Sequence, residues 1–158
     1  MKNSLAVQLG AMIVAASLLT AFPITASRTL DEDAIGVGLF THMHLRGKAM
    51  TFRAVAPGAD PETLLMIPNY SFQWQLAYHF PPGKVRWTKG TRLECTALYD
   101  NSPFNPYNPD PKKTVRHGPQ TWQEMMNGFV FYVGADEKLN LDIDPKTGTI
   151  RDPEQEKK

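Results

Sequence analysis

His42 and His44 stand two residues apart in the stretch "FTHMHLRG", and together they are half of the chain's four histidines. In an extended strand, side chains two apart point to the same face, so an extended His42-Met43-His44 sets two imidazoles side by side. Two neighbouring imidazoles suit a transition-metal ion, which then needs at least one further donor. The candidates are His79, His117, the carboxylates, Cys95, and the adjacent Met125 and Met126 of "TWQEMMNGF". A third histidine or a carboxylate would suit zinc or non-haem iron. A thioether would point to copper, because soft sulfur favours Cu(I). Two solvated histidines and two core methionines are the plain structural alternative.

The elements that must position these residues are short. The 158-residue chain carries 13 prolines, 11 glycines and many β-branched and aromatic runs, which favours strands and loops over long helices. "AIGVGLFTHMH" is expected to be a strand with the histidines at its far end, "LRGK" the turn out of it, and "MTFRAVAP" the returning strand. "TLLMIPNY" and "SFQWQLAYHF" are two more candidates, the second with Phe72, Trp74, Leu76 and Tyr78 on one face. "TRLECTALYDNS" alternates so that Leu93, Cys95, Ala97 and Tyr99 face a core. "PFNPYNPDPKK" is excluded as a central strand or helix interior by its prolines, and "NGFVFYV" is the last strand. Short strands broken by turn signals predict an all-β fold, an antiparallel sandwich in one domain.

Charge and cysteine content narrow the function. Seventeen basic residues nearly cancel sixteen acidic ones, so no strong field attracts nucleic acid. One cysteine excludes an internal disulfide and any CxxC motif. Lys2 followed by "LAVQLGAMIVAASLLTAF" and "PITA" has the form of an export signal over residues 1–26. That predicts a periplasmic or extracellular protein, with anchoring by residues 5–22 as the alternative. The folded domain is then expected over 27–135, and 136–158 reads as a charged, flexible tail.

The ordered set "HMHLRGK … YSFQWQLAYHF … KGTRLECTALYDNSPFNPYNPDP … QTWQEMMNGFVFY" resembles the C-terminal domain of the copper type II, ascorbate-dependent monooxygenases. The family includes the peptidylglycine α-hydroxylating and dopamine β-monooxygenases, and the likeness spans about residues 34 to 133. It implies a jelly-roll-like β-sandwich with one copper per chain, and hydroxylation of a substrate C–H bond with O2 and a one-electron donor such as ascorbate. It implies a catalytic copper held by His42, His44 and the methionine after Glu124, which is Met125, with Met126 the alternative if the register slips by one. It also implies a separate domain or partner chain carrying an electron-transfer copper, for which His79 and His117 form no cluster. Phe40 and Phe129 stand where the peptide-amidating members clamp a carboxylate with arginine and tyrosine, so a peptidylglycine substrate is not expected, although Asn127 matches. Met126 occupies the position of a disulfide cysteine in vertebrate members, which leaves Cys95 as a buried core residue. The family's upstream sandwich strands would have to come from residues 1–33, where the leader-like segment lies.

Overall fold

A computed structural model of the chain describes residues 5–10, 21–137 and 146. The rest of the leader-like stretch and nearly all of the tail lie outside the described residues. Among the described residues nine strands form: β1 (Leu5–Gly10), β2 (Ala21–Thr29), β3 (Ala34–Met43), β4 (Gly47–Val55), β5 (Glu62–Ile67), β6 (Ala77–His79), β7 (Arg86–Trp87), β8 (Arg92–Asp100) and β9 (Met126–Gly134). There is no helix among the described residues.

One sheet has the order β1-β9-β3-β6, with β7 also on β3; the other runs β2-β8-β4-β5. Every strand pairing is antiparallel. β6 and β7 meet the same edge of β3, at Gly38–Phe40 and at Ala34–Ile35. Counted as one interrupted strand, they leave eight strands. The first then lies beside the last, which lies beside the third and then the sixth; the second, seventh, fourth and fifth make the other sheet. That order is the wrap of a jelly roll, and the expected antiparallel β-sandwich is the fold observed.

Strict alternation builds the core. In β8, Leu93, Cys95, Ala97 and Tyr99 are buried, as their period-two spacing predicts, and β4 adds Met50, Phe52 and Ala54. Leu39, Met43, Met126 and Val130 face them from the other sheet. Each large side chain so buried contributes about 1.5–3 kcal/mol. Gly128 lets β9 press onto this layer: a Cβ there would lie 2.5 Å from Cys95 Sγ and 2.9 Å from the Phe52 ring.

Residues 5–10 and 21–26 of the segment with the form of a leader lie in paired strands here, the second of which continues to Thr29. β2 matches β8 from Ala21–Asp100 to Thr29–Arg92, and Phe22 stacks on Tyr99 with ring centroids 5.6 Å apart.

One expected strand is much shorter. "SFQWQLAYHF" is extended only over Ala77–His79, because a turn closes at its start through Trp74 N–H donating to Ser71 O (3.0 Å). Trp74 and Leu76 are exposed, so the alternation there does not mark a core face.

Candidate metal centre

The geometry follows from register. β3 and β9 pair His42 with Asn127 and Met43 with Met126. Directly opposed residues share a face of the sheet. Met43 and Met126 are both buried in the core, so the inner face holds them and the outer face holds His42 and Asn127. The pairing ends at Met43–Met126, and His44 and Met125 are the next residues beyond the two strands. Continued alternation would carry both to the outer face with His42. Met125 is half-buried, and its carbonyl accepts a hydrogen bond from Tyr99 Oη (2.9 Å). The thioether of Met126 belongs to the core layer.

Both imidazoles are oriented through Nδ1. His42 Nδ1 lies 2.9 Å from Gln75 Oε1. The Gln75 amide NH2 donates to Phe72 O (2.8 Å), so Oε1 is the accepting end and His42 Nδ1 carries the proton. His44 Nδ1 lies 3.3 Å from the carbonyl of Gln123, which can only accept, so this ring is also protonated on Nδ1. Each Nε2 is then the basic nitrogen, the arrangement that ligating histidines with an orienting acceptor adopt.

The two rings are 5.1 Å apart between centroids and nearly perpendicular, at 86°. Two imidazoles sharing one ion at metal–nitrogen distances of about 2.0–2.1 Å, at a tetrahedral angle, have centroids roughly 5 Å apart. The pair therefore fits a single ion. Burial holds the pKa of His44 below the usual histidine value, against the pull of the Gln123 and Gln120 carbonyls, and charge on His42 or His117 lowers it further. A neutral, lone-pair-bearing ring is thereby favoured. Phe72 covers His44 edge-on at 6.0 Å.

The support beneath this pair is polar and buried. Glu124 is wholly buried; its Oε2 accepts from His44 N–H (3.0 Å) and its Oε1 from Arg46 N–H (2.7 Å). Glu124 does not face water; it holds the backbone of the His44–Arg46 turn and leaves the rings to other acceptors. Burial pushes its carboxyl up to about 7, against those N–H groups and the Arg46 guanidinium 4.0 Å away.

Arg46, the basic residue of the turn after the histidines, is buried too. Nε donates to Asn101 Oδ1 (2.8 Å) and an Nη to Trp122 O (2.8 Å). It is therefore committed to the fold and unavailable to an anion. Asn101 in turn accepts from Asn108 (3.0 Å), tying the proline-rich loop to the turn after the histidines. Asp100, Asn105, Asn108 and Asp110 each accept a backbone N–H two residues on, as the sequence of that loop predicts.

Tyr70 completes the support. Its hydroxyl donates to Met43 O (2.6 Å) and accepts from Met43 N–H (2.9 Å), satisfying the strand edge between the histidines with one group. Burial pushes this phenol up to about 12.

The remaining candidates separate. His79 is exposed on β6 opposite Gly38, four residues up the strand from His42. His117 is exposed on a segment bridged to Glu124, near enough to influence His44. Cys95 is sealed in the core, and burial pushes its thiol up to about 12. Among the described residues no three His, Cys, Asp or Glu side chains gather into a metal cluster, so neither a third histidine nor a carboxylate joins the pair there. Gln75, Gln123 and Tyr70 are the supporting residues that sequence reading missed. None of them left a local signal, since each meets the histidine strand only through tertiary contacts.

No protein-family model matches the chain, and no curated protein matches it.

Proposed function

We propose that this chain is the oxygen-handling copper domain of a hydroxylating monooxygenase resembling the copper type II, ascorbate-dependent family. The copper is held by His42, His44 and Met125. The observation that carries the reading is the histidine pair, two imidazoles 5.1 Å apart and each tied at Nδ1, with Met125 the residue next to the Met43–Met126 pair that ends the ladder. Two nitrogens and one thioether leave open positions and favour Cu(I). Copper bound there would supply one-electron chemistry: R–H, O2, two electrons and two protons give R–OH and water. The chain's own part is to hold the donors, favour the neutral form of His44 and shield that ring from water. The electrons come from ascorbate or another one-electron donor, through a second copper on a separate domain or chain.

A second reading is a non-catalytic copper-binding module or a remnant of such an enzyme. It is favoured by the lack of a second cluster of metal-binding side chains among the described residues.

X-ray absorption on the Cu(I) form, wild type against Met125→Ala, tests the site. One copper per chain, with a Cu–S shell lost in the variant, supports it. A folded protein that takes up no copper, or one whose copper environment ignores Met125, removes both readings. Ascorbate-dependent O2 uptake with a supplied electron-transfer partner separates them.

A further inference from the structure

The outer face of the site-bearing sheet continues beyond the histidines in ordered rows. Gln75, His42 and Asn127 make the first, with Gln75 seated by its bond to His42. Ala77, Phe40 and Phe129 make the second; His79, Gly38 and Phe131 make the third. Phe40 and Phe129 lie 5.8 Å apart between ring centroids, and Phe129 stacks on Phe131 at 6.5 Å. The position across the strand pair from Phe40 is small and exposed, Ala77, whereas Gly38 is buried with no room for a Cβ, which would lie 2.6 Å from Tyr78 O. A row of phenylalanines thus begins one row from His42, with low ground beside it.

None of the residues in these rows carries a carboxylate, ammonium or guanidinium. Among the described strand residues of this face, the first guanidinium is that of Arg86, opposite Ile35. It lies seven residues up β3 from His42, about 23 Å at 3.3 Å per residue. Arg46, closer in sequence, is consumed by Glu124, Asn101 and Trp122. An anionic substrate would find no counter-charge on this face near the histidines and would lose its hydration there.

From this we infer that the substrate of the proposed copper site is an uncharged, apolar molecule of about the size of one ring, lying on Phe40 and Phe129 with a C–H bond directed at His42. This rests on the copper reading above. The size follows from area. A phenylalanine presents 150–250 Å², so three half-buried rings leave on the order of 150 Å² open, against about 800 Å² per partner in a stable protein interface. A ring-sized ligand fits that strip and a protein does not.

Ethylbenzene and 4-ethylbenzoate share a ring and differ in charge. Their binding is measured by saturation-transfer NMR on the full chain without metal, and then by relaxation enhancement with Cu(II) added. The expected result is ethylbenzene binding at least tenfold tighter than 4-ethylbenzoate. Phe129→Thr and Ala77→Leu, which remove a ring and fill the low ground respectively, each weaken it at least tenfold while the chain stays folded by circular dichroism. Copper should then broaden the ethyl protons. Equal binding of the two probes, no binding, or indifference to both variants overturns the proposal. Ring-strip binding that responds to the variants while copper is not taken up at all removes the copper reading separately.

Discussion

His42 and Gln75 are 33 residues apart in the chain and meet with Nδ1 2.9 Å from Oε1, a contact made one row beyond the last β3–β6 pair. The glutamine fixes which imidazole nitrogen is basic. Without it the ring is free to turn, and its tautomer is free to exchange. Gln75→Leu is expected to weaken Cu(I) affinity by about 10–100-fold with little change in melting temperature. Competition against a Cu(I) chelator measures this; unchanged affinity would mean that the ring is held by something else.

Met125 and Met126 are neighbours with opposite roles. Met126→Ala empties core volume between Met43 and the opposite sheet, and is expected to cost about 2–5 kcal/mol in denaturant unfolding while the Cu–S signal persists. Met125→Leu should do the reverse, removing the sulfur shell at a cost below about 1.5 kcal/mol. A Cu–S shell lost only in the Met126 variant would shift the site by one residue.

Glu124 should leave a mark on stability against pH. Its carboxyl binds its proton up to about 7 when folded, but only to about 4.5 when unfolded. Below 4.5 both states are protonated and nothing is lost. As pH rises to 7 the unfolded state releases its proton first, so stability falls, by on the order of 3 kcal/mol over the window. His44, held below its usual value, acts in the opposite direction over an overlapping range, equally in wild type and variant. The difference in unfolding free energy between Glu124→Gln and wild type should therefore grow in the variant's favour from pH 4.5 to 7 and then level off. A flat difference would show that the Arg46 and N–H contacts keep the buried carboxylate at its ordinary value.

Gly128 and Cys95 form a tight contact across the two sheets. Gly128→Ala is expected to destabilise the fold by about 1–3 kcal/mol through overpacking, and Cys95→Ala should recover part of that when combined with it. A double-mutant cycle reads the coupling; strict additivity would indicate that the sheets simply move apart.

The second strand makes the leader question experimental. A chain starting at Ser27 keeps only three residues of β2 and loses the Phe22–Tyr99 stack and Ile24. Relative to one starting at Ala21, it should be less stable by on the order of 2–3 kcal/mol, from the partial burial of two large apolar side chains. Equal melting temperatures would mean that β2 adds nothing to the sandwich.

Much of the fold was legible because the period-two pattern is a local property. β8 alternates without interruption, and its four inward residues were readable one by one. The "SFQWQ" segment alternates as well, yet there the pattern is set by a turn and by contacts with the histidines, and the aromatic residues end outside the core. Arg46 shows the other limit. In sequence it is a basic residue beside a glycine, the ordinary composition of an exposed turn. Its burial depends on Asn101, Trp122 and Glu124, which lie 55 to 78 residues away. No local signal carries such a partnership. The histidine pair was legible because two residues on one strand need no fold to share a face, whereas their orienting partners needed the tertiary register.

That separation has a consequence for how the centre is assembled as the chain emerges from the ribosome. His44 is joined to Glu124 across 80 residues, and closing a loop of that length costs roughly 4 kcal/mol in chain entropy. The His-x-His strand and Gln75 are synthesised early and can come together over a short loop; Gln123 and Met125 arrive some fifty residues later. Contacts of such long range belong to slow-folding, high-contact-order topologies. An ion arriving early would therefore meet two imidazoles with only one of them oriented and no sulfur at all. If copper binds as proposed, the soft third donor joins last, and metal selection would belong to the final pairing of β3 with β9.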